Sequence, residues 1–450
     1  MQKFALKVVH AFDRFMPEPF AFGILMTLVA MLIAWSSTTS TPVEVVVAWG
    51  NGLSSLLPFI TQVSLTILFA FSLAHLGPIP DFLQRLAGLP SSPTQAYAFC
   101  AIFTSVVCLI AWPLGTILGG LMARQVALKF LERGERVHYP LLGGAAFSGF
   151  VVWHMGYSAS APLLVATEGN PMQDMLGGLL PVTETLLTPY NLLTIVATVA
   201  TVAFVATRLA PVDDEIEEIE PDMVPRANQI EDAPTSGIRS GFASSFEQAR
   251  WPTTVLGLLL FSYIGYWFYT RGAQLELNIV NWTFFGLCLV LARSSANLIN
   301  VMLQAGRAVI PTLLQYPLYA GIMGMMMNTG VVANMAAYFA ETATAVTLPL
   351  IAFLSGGLIN MFIPSGGAQW AVQGPAFLEA AAILGTEPSL VVMGVAYGDQ
   401  WTNIIHPFVA IPLLIMTGLK ASKVLSYSFL IFLVSTIPLA GGLLMASLMA

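Results

Sequence analysis

Two stretches of this chain place polar and helix-breaking residues inside otherwise apolar sequence, in patterns that could bind a cation and an anion together. Residues 355–375 read SGGLINMFIPSGGAQWAVQGP. Pro364 removes a backbone donor and Gly366–Gly367 loosens the backbone. Asn360, Ser365, Gln369 and Gln373 add hydrogen-bonding groups. Residues 398–407 read GDQWTNIIHP. Asp399 is the one carboxylate set deep in an apolar segment, where an ionised group is costly and is a functional-site hypothesis by default. Its expected use is to hold a proton or a sodium ion, with Thr402 and Asn403 within a turn as further ligands. The plainer alternative is a carboxylate that caps a helix end at the break.

No Lys or Arg falls in these stretches, so an anion would have to meet helix N-termini and free backbone N–H groups. Ser365, Gly366, Gly367 and Gln369 offer such donors, with Trp370 beside them, and Thr402, Asn403 and His406 offer more. Weaker counterparts stand in the first half of the chain. These are Pro113, Gly115 and Thr116 in WPLGT, residues 112–116, and Ser158 and Ser160 in HMGYSASAP, residues 154–162. A single Ser or Thr can instead bond back to its own helix. His154 and His406 each sit in an interrupted segment, where a proton-relay or substrate role competes with a structural one. Trp112, Trp153, Trp370 and Trp401 lie near the four breaks and suit the walls of an apolar pocket, or an ordinary core. No nucleophile is paired with a base and no metal-type cluster is present, so neither a catalytic residue nor a cofactor is expected.

The elements that must position these residues are membrane helices. Of 450 residues, 56% are hydrophobic and 9% charged, against about 25% charged in soluble domains. Mean hydropathy is +0.78, and several apolar runs reach the roughly 20 residues that span a bilayer. The net charge of −7 comes without any basic patch, which argues against a nucleic-acid partner. Cys100, Cys108 and Cys288 lie in apolar segments and read as packing residues. Residues 4–15 alternate apolar and basic at helical spacing, as in a helix lying on the membrane surface.

In chain order, spans are expected at residues 20–35 and 53–76, then a hairpin over 95–130 that turns at 112–115. An interrupted span at 141–167 and a span at 192–208 follow. Residues 211–250 are acidic, with DDEIEEIEPD, and read as a solvated linker. After it come spans at 251–270, 277–292 and 308–327, a hairpin over 343–380, an interrupted span at 390–417 and a last span at 424–446. With the N-terminus in the cytoplasm and both hairpins re-entrant, every one of the 17 Lys and Arg residues except Arg271 falls on the cytoplasmic side. The chain is then an all-α polytopic membrane protein of about nine full spans. It is built from two inverted-topology repeats, 1–210 and 251–450, each with a re-entrant hairpin and a broken transmembrane helix. That arrangement places a substrate and its coupling ion between the breaks, as in a secondary transporter.

FIPSGGAQWAVQGP and YGDQWTNIIHP, with the opening PEPFAFGILMTLVA, resemble the short-chain fatty acid transporter family of bacteria, within the larger ion-transporter superfamily. The likeness runs over nearly the whole chain. It implies uptake of small monocarboxylates such as acetoacetate and butyrate, a homodimer, and a multi-pass location in the bacterial inner membrane. Sodium-binding relatives in the superfamily often carry Ser-Asn-Thr at their hairpin tips. Here the tips read Pro-Leu-Gly-Thr from Pro113 and Pro-Ser-Gly-Gly from Pro364, which favours a proton as the coupling ion. A dicarboxylate or citrate carrier is a competing expectation, set back by the lack of a buried cation. An intramembrane enzyme using Asp399 and His406 as acid and base is a third, and a non-transporting scaffold a fourth.

Overall fold

A computed structural model describes residues 2–15, 17–168, 170, 172–211, 215–220, 241–272 and 277–449. The first half runs α1 (Gln2–Phe15), α2 (Pro19–Ser37), α3 (Pro42–Gly52), α4 (Leu57–Leu73), α5 (Ile79–Ala87), α6 (Pro93–Ile110), α7 (Trp112–Glu132), α8 (Tyr139–Ser148), a 3-10 turn (Gly149–Met155), α9 (Ser160–Val165) and α10 (Pro189–Arg208). The second runs α11 (Phe242–Gln248), α12 (Trp251–Arg271), α13 (Leu277–Leu291), α14 (Ser295–Asn328), α15 (Val331–Glu341), α16 (Leu348–Asn360), α17 (Gly366–Leu384), α18 (Pro388–Asn403), α19 (Pro407–Thr417) and α20 (Ala421–Met449). No strand occurs among the described residues.

Local sequence sets many of these boundaries. Proline opens α2, α3, α6, α10, α18 and α19, where its missing N–H costs nothing. Thr41 and Glu44 form a reciprocal cap on α3. Gly385 and Gly418, both at φ 71°, end α17 and α19 in the left-handed conformation, which a residue without a Cβ adopts freely.

Among the described residues, α2, α6, α7, α10 and α20 are individually long and apolar enough to cross a membrane. The pair α3–α4, bent by 41° across its break, makes a sixth. The expected span at 53–76 is thus the second part of a longer, bent element whose first part the sequence reading missed. Likewise the span at 308–327 lies within the 34-residue α14, which carries Pro311 and Pro317 inside it. α15 was not anticipated.

Helices α6 and α7 meet at Ala111 and fold back on each other, with Gly115 against Cys108 and Gly119 against Thr104. Helices α16 and α17 are likewise separated by a short break over residues 361–365. α16 packs most extensively on α18, where glycines face each other. A Cβ on Gly398 would strike the Phe353 carbonyl, and one on Gly356 would crowd Val395. Small residues let two backbones approach this closely in a membrane.

Of the acidic linker, residues 212–214 and 221–240 lie outside the described residues. Residues 215–220 are not a free tether. Ile219 is buried at 3% exposure, Lys423 meets Glu217 at 2.6 Å and Arg136 meets Glu218 at 2.7 Å. The Glu217 N–H donates to His138 Nδ1 at 3.0 Å, and the Glu217 carbonyl accepts from Tyr139 N–H at 2.8 Å. Burial, and to a smaller degree Lys423, brings the His138 imidazole down to about 3, so it stays neutral and free to accept.

Candidate functional site

The polar centre lies where the 3-10 turn meets α18. Asp399 Oδ2 and His154 Nδ1 are 2.7 Å apart, with the two side chains 1% and 0% exposed. The sequence reading left Asp399 without a partner; the fold supplies one from 245 residues away. His154 Nε2 accepts the Ala161 N–H at 3.0 Å, and the His154 N–H donates to Gln400 Oε1 at 2.9 Å. Trp153 stacks on the His154 ring with centroids 4.1 Å apart and donates its Nε1–H to Asn403 Oδ1 at 3.0 Å. Asn360 donates to the Asp399 carbonyl at 3.0 Å and to Thr402 Oγ1 at 2.9 Å, and the Thr402 hydroxyl reaches the Gly357 carbonyl at 3.0 Å. Asp399 Oδ1, Asn360 Oδ1, Gln400 Nε2 and Asn403 Nδ2 are buried with no hydrogen-bond partner among the described residues. Such groups call for an explanation by function, water or an ion.

Beside this centre is a cavity of about 230 Å³. Trp112 and Thr116 of α7 line it, as do Pro364, Ser365 and Gly366 at the start of α17, Trp153, Ser160 and Asn403. The remaining wall is largely apolar, from Phe59, Phe150, Tyr316, Phe408, Val409 and Pro412, with Gln62 the further polar group. Among the described residues, no charged side chain lines it.

The three helix starts at the breaks differ in what they offer. At α7 the Trp112 N–H donates to Ser158 Oγ at 2.9 Å, Pro113 has no N–H, and Leu114 N–H bonds back to Ala111. At α19, Phe408 N–H goes to His406 Nδ1, and Val409 and Ala410 N–H to the His406 carbonyl. At α17 the Ser365 side chain makes no capping bond. Among the described residues no acceptor meets the first-turn N–H groups of Gly366, Gly367 and Ala368, and Gly366 lines the cavity. The aligned dipoles of a 19-residue helix favour negative charge at that end.

Eight of the residues singled out in the sequence line the cavity: Trp112, Thr116, Trp153, Ser160, Pro364, Ser365, Gly366 and Asn403. Asp399 and Thr402 lie behind it in the network just described. Gly367 has Ser160 Cβ as its nearest neighbour, 4.0 Å from where a Cβ would stand. Pro113 and Gly115 are buried within α7, and Ser158 clamps that helix start. Gln369 bonds the Gly356 carbonyl and Gln373 Oε1. Trp370 is 0% exposed in an apolar cluster with Leu348 and Phe377. His406 contacts the Met361 carbonyl at 3.2 Å among the rings of Phe22, Tyr319 and Phe408. Asp399 and His406 make no contact with each other, so nothing here joins them as an acid–base pair. Among the described residues, no group of three or more His, Cys, Asp or Glu is arranged to hold a metal ion. The lining residues that sequence reasoning missed are Gln62 and the apolar Phe59, Phe150, Tyr316, Phe408, Val409 and Pro412, which carry no local signal that sets them apart from other residues of apolar helices.

The profile of the short chain fatty acid transporter family matches residues 1–446. A protein of Escherichia coli K12 is 33% identical over 436 residues, covering 96% of each chain. One of Haemophilus influenzae is 32% identical over 424 residues, covering 92% of this chain and 93% of its own. Both are provisionally named short-chain fatty acid transporters. Two solved structures are also similar. The YdaH transporter of Alcanivorax borkumensis has a TM-score of 0.47 at 14% identity, covering 95% of this chain and 98% of that one. The MtrF efflux pump of Neisseria gonorrhoeae has a TM-score of 0.45 at 13% identity, covering 97% of each.

Proposed function

The chain belongs to the short-chain fatty acid transporter family and is a membrane transporter rather than an enzyme, and we propose that it takes up small monocarboxylates such as butyrate and acetoacetate together with a cation. The observation that carries this reading is the cavity itself. At about 230 Å³ it is smaller than the roughly 300–1,000 Å³ of pockets for drug-sized ligands, which suits a substrate of a few carbons. Its wall is apolar on one side, and on the other it meets the open N-terminus of α17 and the free amide of Asn403. A carboxylate at Gly366 and Gly367 with its chain against Phe59, Phe150 and Tyr316 uses both sides.

The coupling ion in this reading is a proton, held at the buried His154–Asp399 pair. Asp399 Oδ1 is without a partner, and neither hairpin tip has the Ser-Asn-Thr sequence of sodium-binding relatives. Sodium is the alternative, and the cation site is the same. Around this site we take α6–α7 and α16–α17 as re-entrant hairpins of two inverted repeats, with about nine full spans, the N-terminus in the cytoplasm, and a homodimer in the bacterial inner membrane. The basic-residue distribution supports the orientation, and the resemblance supports the dimer and the membrane.

Competition for labelled butyrate uptake into proteoliposomes tests the substrate class. Unlabelled acetoacetate should suppress uptake, and succinate and citrate should not, because no Lys or Arg lines the cavity to meet a second charge. Suppression by the dicarboxylate and not by acetoacetate would overturn the assignment.

A further inference from the structure

We propose that His154 is the group that carries the transported proton, taking it on Nε2, and that this proton exchanges an internal hydrogen bond for one to the substrate. The inference rests on reading the cavity as a monocarboxylate site. A backbone N–H can only donate, so the 3.0 Å contact from Ala161 N to His154 Nε2 fixes that nitrogen as an acceptor. The ring hydrogen then sits on Nδ1 and faces Asp399 at 2.7 Å. The structure thus sets the imidazole Nδ1–H against the Asp399 carboxyl and leaves Nε2 with its lone pair on the Ala161 N–H.

A proton arriving at Nε2 forms an N–H bond on the same lone pair and breaks the hydrogen bond from Ala161. Two donors, Nε2–H and Ala161 N–H, are then left without an acceptor in a fully buried place, which is costly. Both lie directly behind the layer that lines the cavity. Ser160, next to Ala161, lines it, and Gly366 covers the imidazole so closely that a Cβ there would run into the ring. A carboxylate that moves past the glycine pair offers two oxygens to these two donors. Asp399 keeps Nδ1–H and balances the imidazolium, so it acts as a positioning residue. Proton and anion each make the other's binding favourable, which is coupling by linkage. When the carboxylate leaves, the proton returns to water and the Ala161 bond re-forms.

Tyr397 of α18 reaches this layer through Asn191, which accepts from its hydroxyl at 2.7 Å and donates to the Met155 carbonyl beside His154 at 3.2 Å. Asp399 is the carboxylate that meets the imidazole.

Titration calorimetry of butyrate into the detergent-solubilised full chain, repeated in buffers of different ionisation enthalpy, counts protons taken up per butyrate bound. The parent should take up one. His154→Gln should take up none and bind butyrate at least tenfold more weakly. Ala161→Pro deletes the donor that competes with the proton, so proton binding in the absence of butyrate should strengthen about tenfold. Proton uptake on adding butyrate should then fall below that of the parent at neutral pH. Size-exclusion profiles confirm that each variant is folded. If His154→Gln still takes up one proton, or Ala161→Pro behaves as the parent, the proton sits elsewhere and this inference fails while the substrate reading stands. If the parent binds butyrate without a proton, the inference and the proton coupling fail together. If the parent binds no butyrate, the site reading itself fails.

Discussion

Trp153 gives Asn403 its direction. Its indole N–H holds Asn403 Oδ1 at 3.0 Å, which leaves the amide Nδ2 as the free donor of a residue that lines the cavity. Trp153→Phe keeps the ring on His154 but removes that hold. The expected result is a KM for butyrate raised about fivefold, the value of one net hydrogen bond of about 1 kcal/mol, with the maximal rate little changed. A fall in rate at constant KM would show that Asn403 does not orient substrate. Gly366→Val should abolish uptake while the protein still inserts and purifies, since its side chain would enter the space of the His154 ring; uptake at the parent rate would rule out a tight tip. Asp399, Asn403 and Gly366 were legible in the sequence because a polar or helix-breaking residue at membrane depth demands a reason. The pairing of Asp399 with His154 was not legible. Each residue signals its own cost, and only the fold brings together two segments 245 positions apart.

At the scale of elements, the docked acidic segment makes a pH-dependent contact. His138 accepts from Glu217 N–H only while neutral, and its value of about 3 is below the ordinary value near 6.5. A depressed folded value means the contribution is fully present above about pH 6.5 and is lost as pH falls towards 3. Limited proteolysis within residues 215–220 in the intact protein should therefore be slow at pH 7 and faster at pH 4. Equal rates at both would mean that His138 does not govern docking. Ile219→Asp should free the segment even at pH 7, because it sets a charge among apolar neighbours, whereas the exposed pairs at Arg136 and Lys423 should contribute only about 0–1 kcal/mol each. The sequence reading took this stretch as solvated because acid-rich composition usually is. The two isoleucines among the acids were the available sign that it docks. The helix breaks at 111, 361–365 and 404–406 were readable from Pro and Gly. The bend in α3–α4 was hidden because its short first helix reads like a loop between apolar runs.

At the scale of the whole molecule, the two halves contribute unequally to one cavity. The first supplies a helix start sealed by Ser158 and the imidazole; the second supplies an open helix start and the carboxylate. Composition indicates a membrane bundle, and basic-residue placement is what supports the orientation we propose. Which tip accepts an anion depends on hydrogen bonds that no spacing reveals. The most direct measurement is accumulation of labelled butyrate in proteoliposomes with an imposed pH gradient, for the parent and for Asp399→Asn, with a sodium gradient as the comparison. The parent should concentrate butyrate when the pH gradient is imposed and not with sodium alone, and Asp399→Asn should reach only equal concentrations on the two sides. A parent that does not move butyrate, or an Asp399→Asn variant that concentrates it as the parent does, would contradict the account.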